Sequence, residues 1–291
     1  RGALNLKIEE HDCGTDNGLS SPVEDTASVG TFLAHPVEGH AKNNEVTSSM
    51  LAELKAKGTK FIVVRSPITC ESSRRHHFGA LCQLCVGKRG KGLMALGTYI
   101  GALAGSHIAE PISQSAMIQR QNIGASKISF AGGFDLINQL LNIPKTFKNK
   151  APLAKQDGVV TEIKPSAGGG NFVYVGQQEH YIPTDCQIHV KVGDKVEAGD
   201  VLSEGLVDPR EVVKYKGIGV GRKYFAENMT KTFSENGLPV SRRNFEVVAR
   251  AFIDHVKITD PDGHGDHLPG QVVSYQTIEK DYKPRATSKN M

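Results

Sequence analysis

The sequence predicts an α+β protein built from several modules. Apolar residues recur at helical spacing near both ends, and a run of short strands and glycine-rich turns fills 155–205. Between them sit clustered cysteines of the kind that hold a metal. With 291 residues, 38% of them hydrophobic and 23% charged, the chain can bury a core, and wholesale disorder is excluded. The formal charge of +4 is mildly basic, which suits a nucleic-acid partner without requiring one.

In chain order, an extended start over 4–9 leads to a polar loop, Asp12 to Pro22. A helix is predicted over Asn44–Lys57: Val46, Met50, Leu51 and Leu54 share a face, and Gly58 stops it. The run Phe61-Ile-Val-Val64 within 60–65 predicts a buried strand, and 70–92 reads as a basic loop. Residues 93–123 read mainly as helix, interrupted near Pro111 because proline cannot donate to the helical ladder. The uncharged stretch Leu93–Ala109 is too short and too weakly apolar for a membrane span. It predicts a buried helix that packs closely through Gly97, Gly101 and Gly105. A short helix over Asp135–Leu141, with Asp135 as its N-cap, precedes Pro144. After Pro209 the helical pattern returns, with Phe245, Val248, Phe252 and Val256 near one face, and the tail from Lys280 reads as polar and mobile. The acidic string Asp260–Asp266 reads as a surface turn rather than a metal loop, since prolines and glycines dominate it.

Five cysteines, an odd number, fit a secreted disulfide framework poorly, and Arg1–Glu10 have neither the apolar core nor the cleavage site of a signal peptide. Cys82-x-x-Cys85 can hold one tetrahedral ion with little chain strain, helped by Gly87. Two further ligands are needed for a closed structural site. Cys70 and Cys13 are candidates, and His11, His76 and His77 are rivals. Spacing alone leaves open that Cys13 and Cys70 are ordinary buried thiols beside a redox-active pair.

The order of several blocks resembles the largest, beta-prime, subunit of multisubunit DNA-directed RNA polymerases. Asp12-Cys-Gly-Thr15, Val64-Arg-Ser-Pro-Ile-Thr-Cys70 and Phe78-Gly-Ala-Leu-Cys82-Gln-Leu-Cys85-Val-Gly87 resemble that family's zinc-binding stretch. The run Gly97 to Met117 resembles its helix and trigger loop. Gly132–Ile137, Val192–Gly205, Asp208–Gly217 and Arg243–Arg250 follow in the family's order, so the resemblance covers nearly the whole chain.

This resemblance implies nucleotidyl transfer onto RNA from a DNA template, by a two-metal mechanism and only within a multisubunit complex. It implies Cys13, Cys70, Cys82 and Cys85 as ligands of a structural Zn2+. It implies that Gln114 contacts the sugar of the incoming nucleoside triphosphate (NTP) and that Met117 packs on its base. Where the family has an arginine and a histidine, this chain has Ile118 and Gln121. Gln121 can donate a hydrogen bond but not a proton, and Arg120 is the nearby candidate for the missing charge. The chemistry then rests on positioning more than on acid catalysis. The family's aspartate loop is absent, so catalytic Mg2+ is expected on another chain or a missing segment. The expected partners are beta-like and remaining beta-prime-like chains, DNA template, RNA transcript and NTPs, with no membrane. The chain lacks the family's bridge helix and last helices, which suggests either a split subunit or a partial chain. Split subunits, together with the divergent trigger loop, resemble those of giant bacteriophages, acting in the host cytoplasm. The expected modules are a zinc segment (1–92), trigger-loop helices (93–147), a β-rich insertion (148–208) and a helical C-terminal part (209–291).

Two other classes compete. Val192–Gly205 alone resembles the barrel-sandwich pattern of biotinyl and lipoyl carriers, but Lys195 lies within a turn rather than at a hairpin tip between two strands. A non-catalytic zinc module could instead use Arg74, Arg75, Lys88, Arg89 and Lys91 on nucleic-acid phosphates.

Overall fold

The computed structural model describes residues 2–77, 79–90, 92–121, 137, 139–142, 150–184, 186–238, 240–258 and 267–278, with backbone only over 115–121. The strands are β1 (Lys7–Glu10), β2 (Leu19–Pro22), β3 (Phe61–Val64), β4 (Ala80–Cys82), β5 (Lys88–Arg89), β6 (Gly92–Leu93), β7 (Gly158–Pro165), β8 (Asn171–Val175), β9 (Gln178–Ile182), β10 (Lys195–Val196), β11 (His255–Lys257) and β12 (Val272–Ser274). The labelled helices are α1 (Ser48–Ala56), α2 (Gln83–Val86), α3 (Ile100–Gln121), α4 (Pro209–Lys216), α5 (Ile218–Glu235), α6 (Arg242–Phe252) and α7 (Tyr275–Ile278). This mixture is the α+β class that the sequence predicts. The described residues form two compact units, one from 1–126 with 226–283, the other from 127–225.

In the first unit, β2 pairs antiparallel with β3, and α1 covers the pair. The Thr47 hydroxyl caps α1 by accepting from the Met50 N–H at 3.2 Å, so the helix starts four residues later than its sequence pattern suggests. Met50, Leu51 and Leu54 meet Val23, Leu33, Val46, Ile62 and Val64 in one core. Burying each large aliphatic side chain contributes about 1.5–3 kcal/mol. Strand β3 is half-buried rather than buried: Phe61 points outward while Ile62 and Val64 face the core. The segment 70–92 is more ordered than a loop. It contains a 3-10 turn over Ser72–Arg74, β4, α2 and the β5–β6 pair.

Helix α3 runs unbroken through Pro111, correcting the predicted interruption. Proline removes one rung of the ladder at a cost of about 3 kcal/mol, which a helix of this length can absorb. Nor is α3 buried along its length: Ile100, Gly101 and Ala104 are enclosed, and Ser106, His107, Ala109 and Glu110 are exposed. The close-packing glycine is Gly101, whose N–H reaches the Leu6 carbonyl at 3.2 Å. A Cβ there would lie 1.7 Å from the Ala3 carbonyl oxygen, whereas one on Gly105 would meet nothing within 4 Å. Gly101→Ala should therefore destabilise the chain by about 1–3 kcal/mol and Gly105→Ala should not, as read from urea midpoints.

The predicted face of Phe245, Val248, Phe252 and Val256 holds only in part. Phe245 and Val248 are buried on α6, Phe252 is exposed, and Val256 lies on β11. Helix α6 ends at Phe252, so the helical period cannot carry on to Val256. Residues 137 and 139–141 are helical; Asp135, the 260–266 turn and the tail from Lys280 lie outside the described residues.

The second unit holds an antiparallel sheet in the order β10-β7-β8-β9. Alternation along the strands turns Val160, Val173, Val175, Ile182 and Val196 inward to join Ala154 and Leu202. Lys195 is the first residue of β10, opposite Val159 on β7, and so not in the turn proper. Asp208 caps α4, accepting from the Arg210 N–H at 2.9 Å, and Pro209 occupies the first turn.

Candidate metal centre and helix face

The site in the first unit is assembled from three chain segments. Strand β1 pairs in parallel with β4, opposing Glu10 to Cys82, and so delivers the 12–15 turn beside the Cys-x-x-Cys pair. That turn is closed by the Asp12 carboxylate, which accepts from the Gly14 N–H at 2.7 Å, with Gly14 at φ +70°. Cys82 sits at the N-cap of α2 and Cys85 within it, and the Cys85 N–H points at the Cys82 sulfur at 3.3 Å. Gly87, at φ +76°, ends the helix where a side chain would strike Arg243 and the Gly30 carbonyl. Cys70 closes a 3-10 turn started by Ser66 and Pro67, and the Cys82 N–H points at its sulfur at 3.4 Å.

The four sulfurs of Cys13, Cys70, Cys82 and Cys85 lie within 4.8 Å of one another, and all four residues are buried. None is in a disulfide. Sulfurs bound tetrahedrally at about 2.3 Å to one zinc ion stand about 3.8 Å apart, so this cluster fits such an ion with small adjustments. The Cys13 and Cys85 sulfurs are already 3.6 Å apart. The rival histidines are elsewhere: His11 contacts Gln83 at 2.7 Å, His76 contacts Glu10 at 3.5 Å and His77 contacts Glu9 at 3.1 Å.

The electrostatics favour a cation. Hydrogen bonds from the Cys70, Cys82 and Cys85 thiols hold Cys13 far below the usual thiol range. Burial and contact with Cys13 raise Cys70, but Cys82, Cys85 and Arg250 outweigh them and draw it to about 7. Cys82 is pushed far up by its hydrogen bonds to Cys13 and Cys70, and Cys85 by its burial. Packed sulfurs cannot all ionise unaided, and a doubly charged ion removes that conflict. Protons and metal then compete for the same sulfurs, and lowering the pH protonates them. Metal retention should weaken steadily from mildly alkaline to mildly acidic buffer, as read by metal content after dialysis.

Sequence reasoning missed Arg65. Its side chain is fully buried, with one terminal nitrogen 2.6 Å from Asp12 and 3.2 Å from the Cys13 sulfur. The available signal was a cation wedged between the apolar strand Phe61–Val64 and the Ser66-Pro67 turn. Glu246, buried on α6, accepts from the Ser66 hydroxyl at 2.8 Å and from Arg242 Nε at 3.0 Å. It fastens α6 to the turn that carries Cys70.

Gln114 lies exposed on α3, with its amide donating to Glu110 at 3.3 Å. Met117, Ile118, Arg120 and Gln121 fall on the last turns of α3, where the side chains lie outside the described residues. At about 100° per residue, positions 114, 117 and 121 fall within about 60° of one another, and position 120 lies about 60° beyond 117 and about 120° from 114. The backbone thus places 114, 117 and 121 within one arc, with 120 outside it on the side of 117. The basic cluster is largely engaged within the protein: Arg74 pairs with Glu71, Arg75 with Glu10, Lys88 with Glu45, and Arg89 donates to Asn244. Lys91 lies outside the described residues.

No protein-family model matches the chain. The beta-prime subunit of DNA-directed RNA polymerase from Desulforudis audaxviator is 27% identical to it over 303 residues, covering 96% of this chain and 26% of that subunit. The subunit of the same name from Oceanobacillus iheyensis is 26% identical over 305 residues, covering 97% and 25%. That from Malacoplasma penetrans is 28% identical over 305 residues, covering 94% and 23%. The chain is a homologue of the C-terminal portion of the RNA polymerase beta-prime subunit. It spans about a quarter of the length of the curated beta-prime relatives it matches. The match extends over nearly all of the chain, so the cysteine segments and α3 both fall within beta-prime-like sequence. Among the described residues no helix is long and apolar enough to cross a membrane.

Proposed function

We propose that this chain is a working part of a DNA-dependent RNA polymerase, supplying the trigger loop that positions the incoming NTP and a structural zinc site. The observation that carries this reading is the similarity to beta-prime subunits along 96% of the chain. A zinc ion held by Cys13, Cys70, Cys82 and Cys85 would act as a cross-link between segments far apart in sequence. Around it the chain itself presents buried thiols and N–H groups directed at sulfur.

At the other functional element, the Gln114 amide binds the ribose hydroxyls, since it can both donate and accept. The Met117 thioether packs on any base without sequence preference. Gln121 shares their face of α3 and donates a hydrogen bond toward the triphosphate. Arg120, about a sixth of a turn beyond Met117, is the weaker candidate for phosphate contact. Catalytic Mg2+ is held elsewhere in the polymerase, by beta-like and remaining beta-prime-like chains that share the DNA template and RNA transcript. We place the assembly in the cytoplasm. A giant-bacteriophage affiliation rests on Ile118 and Gln121 at the family's charged positions. The four modules of the sequence reading, with 148–208 as a barrel-sandwich insertion, are retained within this proposal. The internal pairing of Arg74, Arg75 and Lys88 weighs against the alternative of a non-catalytic zinc module that grips phosphates with them.

The trigger-loop role is tested by Gln121→His in the assembled polymerase, with single-nucleotide addition timed at saturating NTP. Restoring a proton donor should raise the rate, by up to about 10²-fold if acid catalysis is regained. An unchanged rate would remove position 121 from the chemistry.

A further inference from the structure

We infer that Arg65 is a positioning residue for the cysteine cluster: its guanidinium donates to the Cys13 sulfur and locks the 12–14 turn so that the ligand most distant in sequence stays in place. The inference rests on the zinc reading above, and goes beyond the four ligands to the side chain that orients them.

The two terminal nitrogens of Arg65 carry a linked set of contacts. One terminal nitrogen of Arg65 reaches Asp12 Oδ1 at 2.6 Å, the Cys13 sulfur at 3.2 Å and the Cys82 sulfur at 3.9 Å. The other donates to Asn43 Oδ1 at 2.6 Å, and Asn43 Nδ2 in turn donates to Asp12 Oδ2 at 3.0 Å. Asn43 holds a left-handed backbone (φ +67°), one of two non-glycine residues to do so among those described. Such a conformation is sustained only where the surroundings hold it. Asp12 is the residue before Cys13, so the Arg65–Asp12–Asn43 set fixes the peptide that carries this sulfur. Cys70, Cys82 and Cys85 lie within 16 residues of chain, but 56 residues separate Cys13 from Cys70, and Cys13 therefore pays the largest ordering cost. A planar fork with several donors suits this task better than an ammonium, because it can serve oxygen and sulfur acceptors at once. Asp12 takes up part of the cation's charge. What remains for the sulfur is a directed hydrogen bond that lowers its nucleophilicity and restrains its movement. The Cys70 sulfur has different neighbours, Ser72 Oγ at 3.5 Å and the Cys82 N–H, so Arg65 should act on Cys13 first and Cys82 second.

The test uses the full chain as it purifies, in wild-type, Arg65→Met and Arg65→Lys forms. Zinc is measured in the wild type by mass spectrometry; a wild type without bound metal would sink the zinc reading itself. Each form is then exposed to limiting N-ethylmaleimide, and alkylation is timed at each cysteine by peptide mapping. Arg65→Met should speed alkylation of Cys13 by about 10-fold, with a smaller rise at Cys82 and Cys70 near its wild-type rate. Chelator-driven loss of metal should become about 10- to 100-fold faster, the usual penalty for removing an outer-shell partner. Arg65→Lys, keeping the charge but not the fork, should fall between. Cys13 reacting no faster than Cys70 in the Met variant would overturn the inference. If all four cysteines of the Met variant rise together, the fold has been lost and the Lys variant decides. Acceleration selective for Cys13 there supports positioning, and uniform acceleration shows that Arg65 serves only the fold.

Discussion

Cys85→Ser should release the metal and loosen the 12–15, 66–72 and 80–87 segments together, because the four clustered sulfurs come from these three segments. Among the three, β1–β4 is a two-stranded pair and α2 a single turn of four residues. Elements this short do not persist on propensity alone. Binding of a structural zinc ion is worth about 10–16 kcal/mol in small zinc peptides, so losing one ligand can remove several kcal/mol here. Serine leaves a hydroxyl among three buried thiols, a far poorer ligand for a borderline-soft ion. Hydrogen exchange should report the change. Protection should fall in those three segments and stay at wild-type levels over α1 and its core of Leu33, Leu54 and Ile62, which do not depend on the cluster. Unchanged protection at Cys82–Val86 would mean that the cluster is held by packing and not by a metal.

The second large effect is expected at α3. Replacing both Gln114 and Met117 by alanine should slow single-nucleotide addition about 10²-fold in the assembled polymerase, since a misplaced substrate loses most of its near-attack geometry. The paired control is Ser115→Ala, on the same helix and about 100° or more from positions 114, 117 and 121. At saturating NTP the double variant should fall in rate while Ser115→Ala keeps it. Equal rates in both would strip the face of positions 114, 117 and 121 of its proposed role.

How much of this was legible in the sequence varied with the physical range of the interaction. Local rules worked: the spacing of Met50, Leu51 and Leu54 gave α1, and Cys82-x-x-Cys85 gave half of a ligand set. Cys13 stood as one candidate among rivals until the resemblance selected it, because the parallel β1–β4 pairing that brings it to Cys82 leaves no periodic trace. Arg65 was illegible for the same reason: its partners Asp12, Cys13 and Asn43 are remote in sequence. Pro111 was over-read, since a missing donor weakens a helix without having to end it. The stripe through Phe252 and Val256 failed where helix gave way to strand, a change of period that spacing alone cannot place. The uncharged run at 93–109 suggested burial, yet α3 encloses only Ile100, Gly101 and Ala104 within this chain. Hydropathy reports the composition of a helix and not what covers it.

Affinity purification of the tagged chain from its native source tests whether it works inside an RNA polymerase. Chains carrying an aspartate metal loop and beta-like segments should copurify with it, and the eluate should extend RNA on a DNA template with added Mg2+. Recovery of the chain without such partners and without template-dependent extension would contradict that role.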